Sequence, residues 1–258
     1  MKPTIVPSVL SFASLLCFFS ACPAFSATFS LNPVADAFVT TGPSGNLTSS
    51  NYGSAGAISV AATGLPQGEF QSVLQFNLAG AKSSFDSQFG PGLWSLQSVT
   101  LQLTATAPNN SIFNPSAAGQ FNISWMQNDA WTEGSGTPIA PGLTGITYST
   151  LNSFLSGADE ALGTFSFNGA TNGNFTYSLA LAPSFSADIL SGGTLSLRMF
   201  AADNIVSFLA DSRTFSNTSL RPQLSLSVIP EPGTVALGFI GSSIILYCRR
   251  KLHRKAHK

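Results

Sequence analysis

A chain of 258 residues, 44% hydrophobic and only 9% charged, has ample apolar material for one large core and little charge with which to grip a polyanion. Its formal charge of zero conceals a division: residues 27–228 carry ten acidic and four basic side chains, a net −6, while the tail beyond Arg249 is strongly basic. Such a body has no electrostatic footprint for nucleic acid. It also contains no cysteine and no histidine, since Cys17 and Cys22 precede it and Cys248, His253 and His257 follow it. That excludes from the body a disulfide, a Ser-His-Asp triad, a Cys-His pair and a His-ligated zinc site.

In chain order, residues 1–26 read as a secretory signal peptide. Lys2 supplies the positive end, Ile5 to Phe19 the apolar stretch, and Ala24-Phe25-Ser26 small residues at the cleavage spacing. Phe19-Ser20-Ala21-Cys22 also resembles a lipobox, with Phe19 in place of the usual leucine. The period then becomes two. Ser98 to Thr106 alternates strictly, with Val99, Leu101, Leu103 and Ala105 on one face. The same alternation predicts strands at 121–125, 175–179, 195–199 and 224–228, and more loosely at 72–78. Turn signals such as Gly42-Pro43-Ser44-Gly45-Asn46 and Gly90-Pro91-Gly92 separate them. Helix is scarce: one short piece over Ser184 to Leu190, capped by Ser184 and stopped by Gly192-Gly193, and another near Thr150 to Leu155. Many short alternating strands predict an all-β fold, a single antiparallel β-sandwich over residues 27–228.

The C-terminal segment, residues 229–258, has three parts. Pro230-Glu231-Pro232 reads as an extended, exposed linker, because proline blocks helix and strand continuation. The apolar run 234–248 is 15 residues long. As a helix it spans roughly 22 Å against a hydrocarbon core of about 30 Å. The basic tail 249–258, opening on Arg249-Arg250-Lys251, would stay on the cytoplasmic side. This order resembles the PEP-CTERM sorting signal of bacteria that make extracellular polysaccharide. The resemblance implies recognition by an exosortase-type membrane peptidase, processing near Pro230–Pro232, transient anchoring in the inner membrane, and delivery to the cell surface or matrix.

A second resemblance runs through the body. Ala35-Asp36-Ala37-Phe38-Val39, Asn51-Tyr52-Gly53, Gln71 to Leu78, Ser98 to Leu103, Asp129-Ala130-Trp131-Thr132-Glu133-Gly134, and Ser207 to Leu224 follow one another in an order similar to the DNRLRE domain. That implies a jelly-roll-like sandwich related to a carbohydrate-binding module family.

Three kinds of site remain open. Carboxylates are the acid–base groups left, and Asp129 and Glu133 flanking Trp131 are the pair for a hydrolase. A lyase would draw its base from Tyr52, Tyr148 or Tyr177. A structural calcium ion suits Asp36, Asp129 and Asp203 at strand ends and loops. Sugar stacking suits Tyr52, Trp94 and Trp131, whereas Trp125 is in phase with the core and Arg213 and Arg221 read as ion-pair partners. The expectation is an exported, non-enzymatic protein that binds extracellular polysaccharide or serves as a matrix component. Alternatives are a polysaccharide-active hydrolase or lyase, and a protein-binding adhesin that pairs through sheet edges.

Overall fold

A computed structural model describes residues 25–231. The signal-peptide region before Phe25, the apolar run 234–248, and Pro232, Arg249, Arg250 and Lys251 lie outside the described residues. Eleven strands form the framework of the described residues: β1 (Ala27–Leu31), β2 (Ala35–Thr40), β3 (Ala57–Ala61), β4 (Phe70–Asn77), β5 (Trp94–Thr104), β6 (Gly119–Met126), β7 (Glu160–Phe167), β8 (Asn174–Leu179), β9 (Thr194–Ala201), β10 (Ser207–Asp211) and β11 (Gln223–Pro230). Three helices join them: α1 (Ala79–Phe89), the four-residue α2 (Tyr148–Leu151) and α3 (Pro183–Ser191). The fold is all-β and every strand pairing is antiparallel. No helix among the described residues is long and apolar enough to cross a membrane.

The strands form two sheets. The smaller runs β1-β11-β5-β8; the larger runs β10-β3-β4-β9-β6-β7, with β2 also laid along β4. Alternation builds the core between them. Val99, Leu101 and Leu103 of β5 and Leu224, Leu226 and Val228 of β11 meet Leu74 and Phe76 of β4, Phe121 and Ile123 of β6, and Leu195, Leu197 and Met199 of β9, all buried in one sandwich-like cluster. Helices α1 and α3 contribute Ala81, Phe85, Phe185 and Ile189 to the same cluster.

The larger sheet is also covered on its outer side. Val73 points away from Leu74, and with Ala37, Val39 and Met126 it packs under Trp131, Ile146 and Leu151 from the segment that joins β6 to β7. A third cluster holds Phe38, Tyr52, Phe70, Phe113 and Leu209, with Phe38 and Tyr52 stacked at 4.6 Å.

Three local expectations change. Ser184 does not cap α3: the N-cap is Ala182, Pro183 opens the helix, and the Glu160 carboxylate accepts from the Ser184 and Phe185 N–H groups at 3.0 and 2.8 Å. A carboxylate from a neighbouring strand thus serves the helix N-terminus. The second helix starts at Tyr148, two residues earlier than expected, because Thr147 and Thr150 form a reciprocal cap. Finally, Pro230 is a strand residue rather than part of an extended linker. It ends β11 opposite Trp94, and Glu231 N donates to Leu93 O at 2.9 Å. Neighbouring N–H groups point to opposite edges, so the proline nitrogen faces the side where β1, whose first residue pairs with Val228, has not begun.

Candidate functional site

Several of the segments singled out in the sequence meet where β2, the Asn51 loop, the segment after β6 and the end of β10 converge. Asp36 of β2 is 1% exposed, and its Oδ2 accepts from Arg213 N at 2.6 Å. Arg213 grips Glu133 with two parallel bonds, Nε to Oε1 at 2.6 Å and Nη2 to Oε2. The same Oε1 accepts from Asp36 N at 3.0 Å. Burial pushes the Asp36 carboxyl up to about 7, against the pull of the Arg213 N–H and with the Glu133 charge adding to the rise. The hydrogen bond to Glu133, with the Glu133 and Asp36 charges and against the pull of burial, in turn raises the Arg213 guanidinium and holds it charged.

Asn51 ties the cluster together. Fully buried, it donates through Nδ2 to Glu133 O and Ile146 O at 2.7 and 2.8 Å, and its Oδ1 accepts from Gly53 N and Gly136 N at 3.2 and 3.1 Å. All four hydrogen-bonding positions of the amide are used. Gly53 and Gly136 are required by close approach: a Cβ at either would collide with the backbone of Glu133 or Asn51. Replacing Asn51 with alanine orphans two buried carbonyls and two N–H groups, and the expected loss is about 3 kcal/mol or more, read as an earlier denaturation midpoint.

This arrangement is a latch. Glycoside hydrolysis needs two carboxyl groups flanking an open bond, whereas Glu133 is consumed by Arg213 and Asp129 sits elsewhere. Asp129 is raised by burial and points toward Ser196, next to the Asp188 charge, and its Oδ1 finds no donor among the described residues. The expected calcium set also disperses. Asp36 is in the latch, Asp129 is near Ser196, and Asp203 caps its own loop by accepting from Gln120, Ile205 and Val206 N–H groups. Among the described residues no group of three acidic, His or Cys side chains is placed to hold a metal ion.

The aromatic candidates are buried rather than presented. Tyr52 is 1% exposed and stacked on Phe38; Trp94 packs on Phe85 and donates to Asp86 Oδ1 at 2.8 Å; Trp131 donates to Ser196 Oγ at 2.9 Å. Stacking a sugar needs an open ring face, and here protein atoms cover those faces. Trp125 lies in the core and donates to Asp188 Oδ2 at 2.9 Å. Arg221 pairs with the Phe215 carbonyl at 2.9 Å rather than with a carboxylate.

Sequence reasoning overlooked a second network on the outer side of the larger sheet. Arg198 Nε donates to Gln71 Oε1 at 2.8 Å, Gln71 Nε2 to Glu69 Oε1 at 2.5 Å, and Tyr148 OH to Glu69 Oε2 at 3.0 Å. Arg198 also lies over the Phe200 ring. A tyrosine beside an arginine is the pattern of a lyase base, but burial first and Glu69 second push the Tyr148 hydroxyl up to about 12. A base needs the opposite shift. Register alone carries the signal for this network: Gln71 and Arg198 alternate with core residues on strands that pair.

Comparison of the chain with models of known protein families gives no match, and comparison with curated proteins gives none either.

Proposed function

We propose that this chain is an exported, non-catalytic component of a bacterial cell surface or exopolysaccharide matrix. Its body is a jelly-roll-like sandwich, and its last thirty residues are a PEP-CTERM-type signal read by an exosortase-type membrane peptidase. The observation that carries the reading is the tripartite tail: Pro230-Glu231-Pro232, an apolar run too short to make a comfortable span, then Arg249-Arg250-Lys251. The sandwich supports the non-catalytic part, because Glu133 is locked to Arg213 and Tyr148 is shifted away from base chemistry.

Deleting Val235 to Lys258 tests this. Full-length protein is expected in the membrane fraction or on the surface, and the truncated protein free in the medium. Retention of the truncated protein at the membrane overturns the sorting account.

A further inference from the structure

The outer face of the smaller sheet carries no charge, and its hydrogen-bonding groups are largely unused. None of the residues in β1, β5, β8 or β11 is charged; the charged strand residues, Asp36, Glu160, Arg198 and Asp211, all belong to the larger sheet. The inward residues of the four strands form the core, so the alternate ones face outward. Register sets these out in rows across the sheet. Ser30, Ser225, Thr100 and Ser178 lie side by side, with Thr28, Ser227 and Ser98 on one flank and Gln223, Gln102 and Thr176 on the other. Neighbours in a row are about 4.8 Å apart and successive rows about 6.8 Å apart.

The two sheets differ in how they use such groups. On the larger sheet many of the outward polar residues are engaged, Gln75 with Asp129 O, Gln71 with Arg198, Ser196 with Trp131, and Asn122 with Thr164, while Gln120, Ser124 and Ser166 are not. On the smaller sheet Ser30 bonds Ser225, Ser227 reaches Gln97, and Thr104 donates to Asn174 Oδ1 at the far end. The side chains of Thr28, Ser98, Thr100, Gln102, Thr176, Ser178 and Gln223 make no hydrogen bond to another described residue. The face is therefore an array of neutral donors and acceptors, most of them with free capacity.

We propose that this face binds a neutral, hydroxyl-rich polysaccharide laid along the strands. The inference rests on the matrix reading above and gives it a surface. Charge decides the occupant. An anionic polymer finds no cation on these strands, and a protein partner finds neither counter-charge nor an apolar anchor, whereas a neutral glycan exchanges hydroxyl for hydroxyl and leaves no ion unpaired. Because the tryptophans are buried, binding goes through many weak hydrogen bonds to a repeating surface. Affinity should depend on polymer length and hardly on salt.

The test uses the whole chain, purified in mild detergent and sedimented with microcrystalline cellulose, cross-linked dextran and calcium alginate gel. Saturable binding to a neutral polymer is expected, unchanged between low and high salt. Thr100→Lys with Ser225→Lys should weaken it at least tenfold. The same change at Thr164 and Ser166, exposed on β7 of the other sheet, should leave it intact. Circular dichroism of each variant establishes that it is folded. Binding to alginate alone, binding unaltered in a folded Thr100→Lys/Ser225→Lys protein, or no binding to any of the three polymers overturns the proposal. Those outcomes leave the sorting reading standing if tail deletion still releases the protein. Retention of the tail-deleted protein removes the sorting reading whatever the gels show.

Discussion

Replacing Trp131 with alanine is expected to cost about 3–5 kcal/mol of stability, which places it among the most damaging single changes in the body. The indole is 3% exposed and roofs the outer cluster of Ala37, Val39, Val73, Met126, Ile146 and Leu151. Alanine leaves a cavity that the stiff sheet beneath cannot collapse to fill, and Ser196 Oγ loses its donor. Trp131→Phe keeps most of the packing and loses the hydrogen bond with part of the ring, so it should cost less, about 1–2 kcal/mol. Denaturant titration of both variants checks this, with the midpoint moving and the slope unchanged. A Trp131→Ala protein of wild-type stability that has lost affinity for polysaccharide would make the ring a ligand contact instead.

The second large effect is a dependence of stability on pH. Four carboxyl groups, Asp36, Asp129, Asp188 and Asp211, are raised, burial being the largest cause in each. A carboxyl raised on folding stabilises the fold fully below its unfolded pKa, and that contribution is lost as pH climbs to the folded value. For Asp36 the window runs from the ordinary 3.8 to about 7. That shift corresponds to about 4 kcal/mol at most. Asp211, raised to about 6, acts in the same direction. The folded domain should therefore be harder to denature at pH 5.5 than at pH 8. Asp86, Glu160 and Asp203 are lowered, each held by hydrogen bonds, and they oppose the trend only at more acid pH. Asp36→Asn keeps an oxygen for the Arg213 N–H but cannot ionise beside Glu133, so it should at least halve the fall. A wild-type pH profile in that variant would show that the Asp36 proton does not matter.

What the sequence revealed depended on whether a strand has one wet face. β5, β8 and β11 have a core side and an open side, and their Ser, Thr and Gln mark every second position. β4, β6 and β9 keep enough alternation to be found because the covering on their outer side is itself partly polar. β3 and β10 are buried at all five positions, so no period of two survives in Ala57–Ala61 or Ser207–Asp211. Helix α1 hides for a different reason. Ala81, Phe85 and Phe89 recur at four-residue spacing, but the residues between them are three serines with Lys82, Asp86 and Gln88, a polar, serine-rich stretch that reads as a loop.

The site was legible as residues and not as geometry. Asp36, Asn51-Tyr52-Gly53 and Asp129 to Gly134 stand out in the chain, and the structure does gather Asp36, Asn51 and Glu133 within one hydrogen-bonded cluster. Nothing local announces that Arg213, 80 positions away, neutralises Glu133. The buried state of Tyr52, Trp94 and Trp131 likewise follows from which side of a sheet each loop closes over.

The pairing of the first strand with the last has a kinetic meaning. Ser30 bonds Ser225, 195 positions further along the chain, and among the described residues β1 has no partner strand except β11. The ribosome makes β1 early and its template last, so the first strand must wait for nearly the whole body to be synthesised. Closing so wide a loop is entropically slow. Until it closes, one rim of the smaller sheet stays unpaired, open to any extended segment that reaches it before the native strand does.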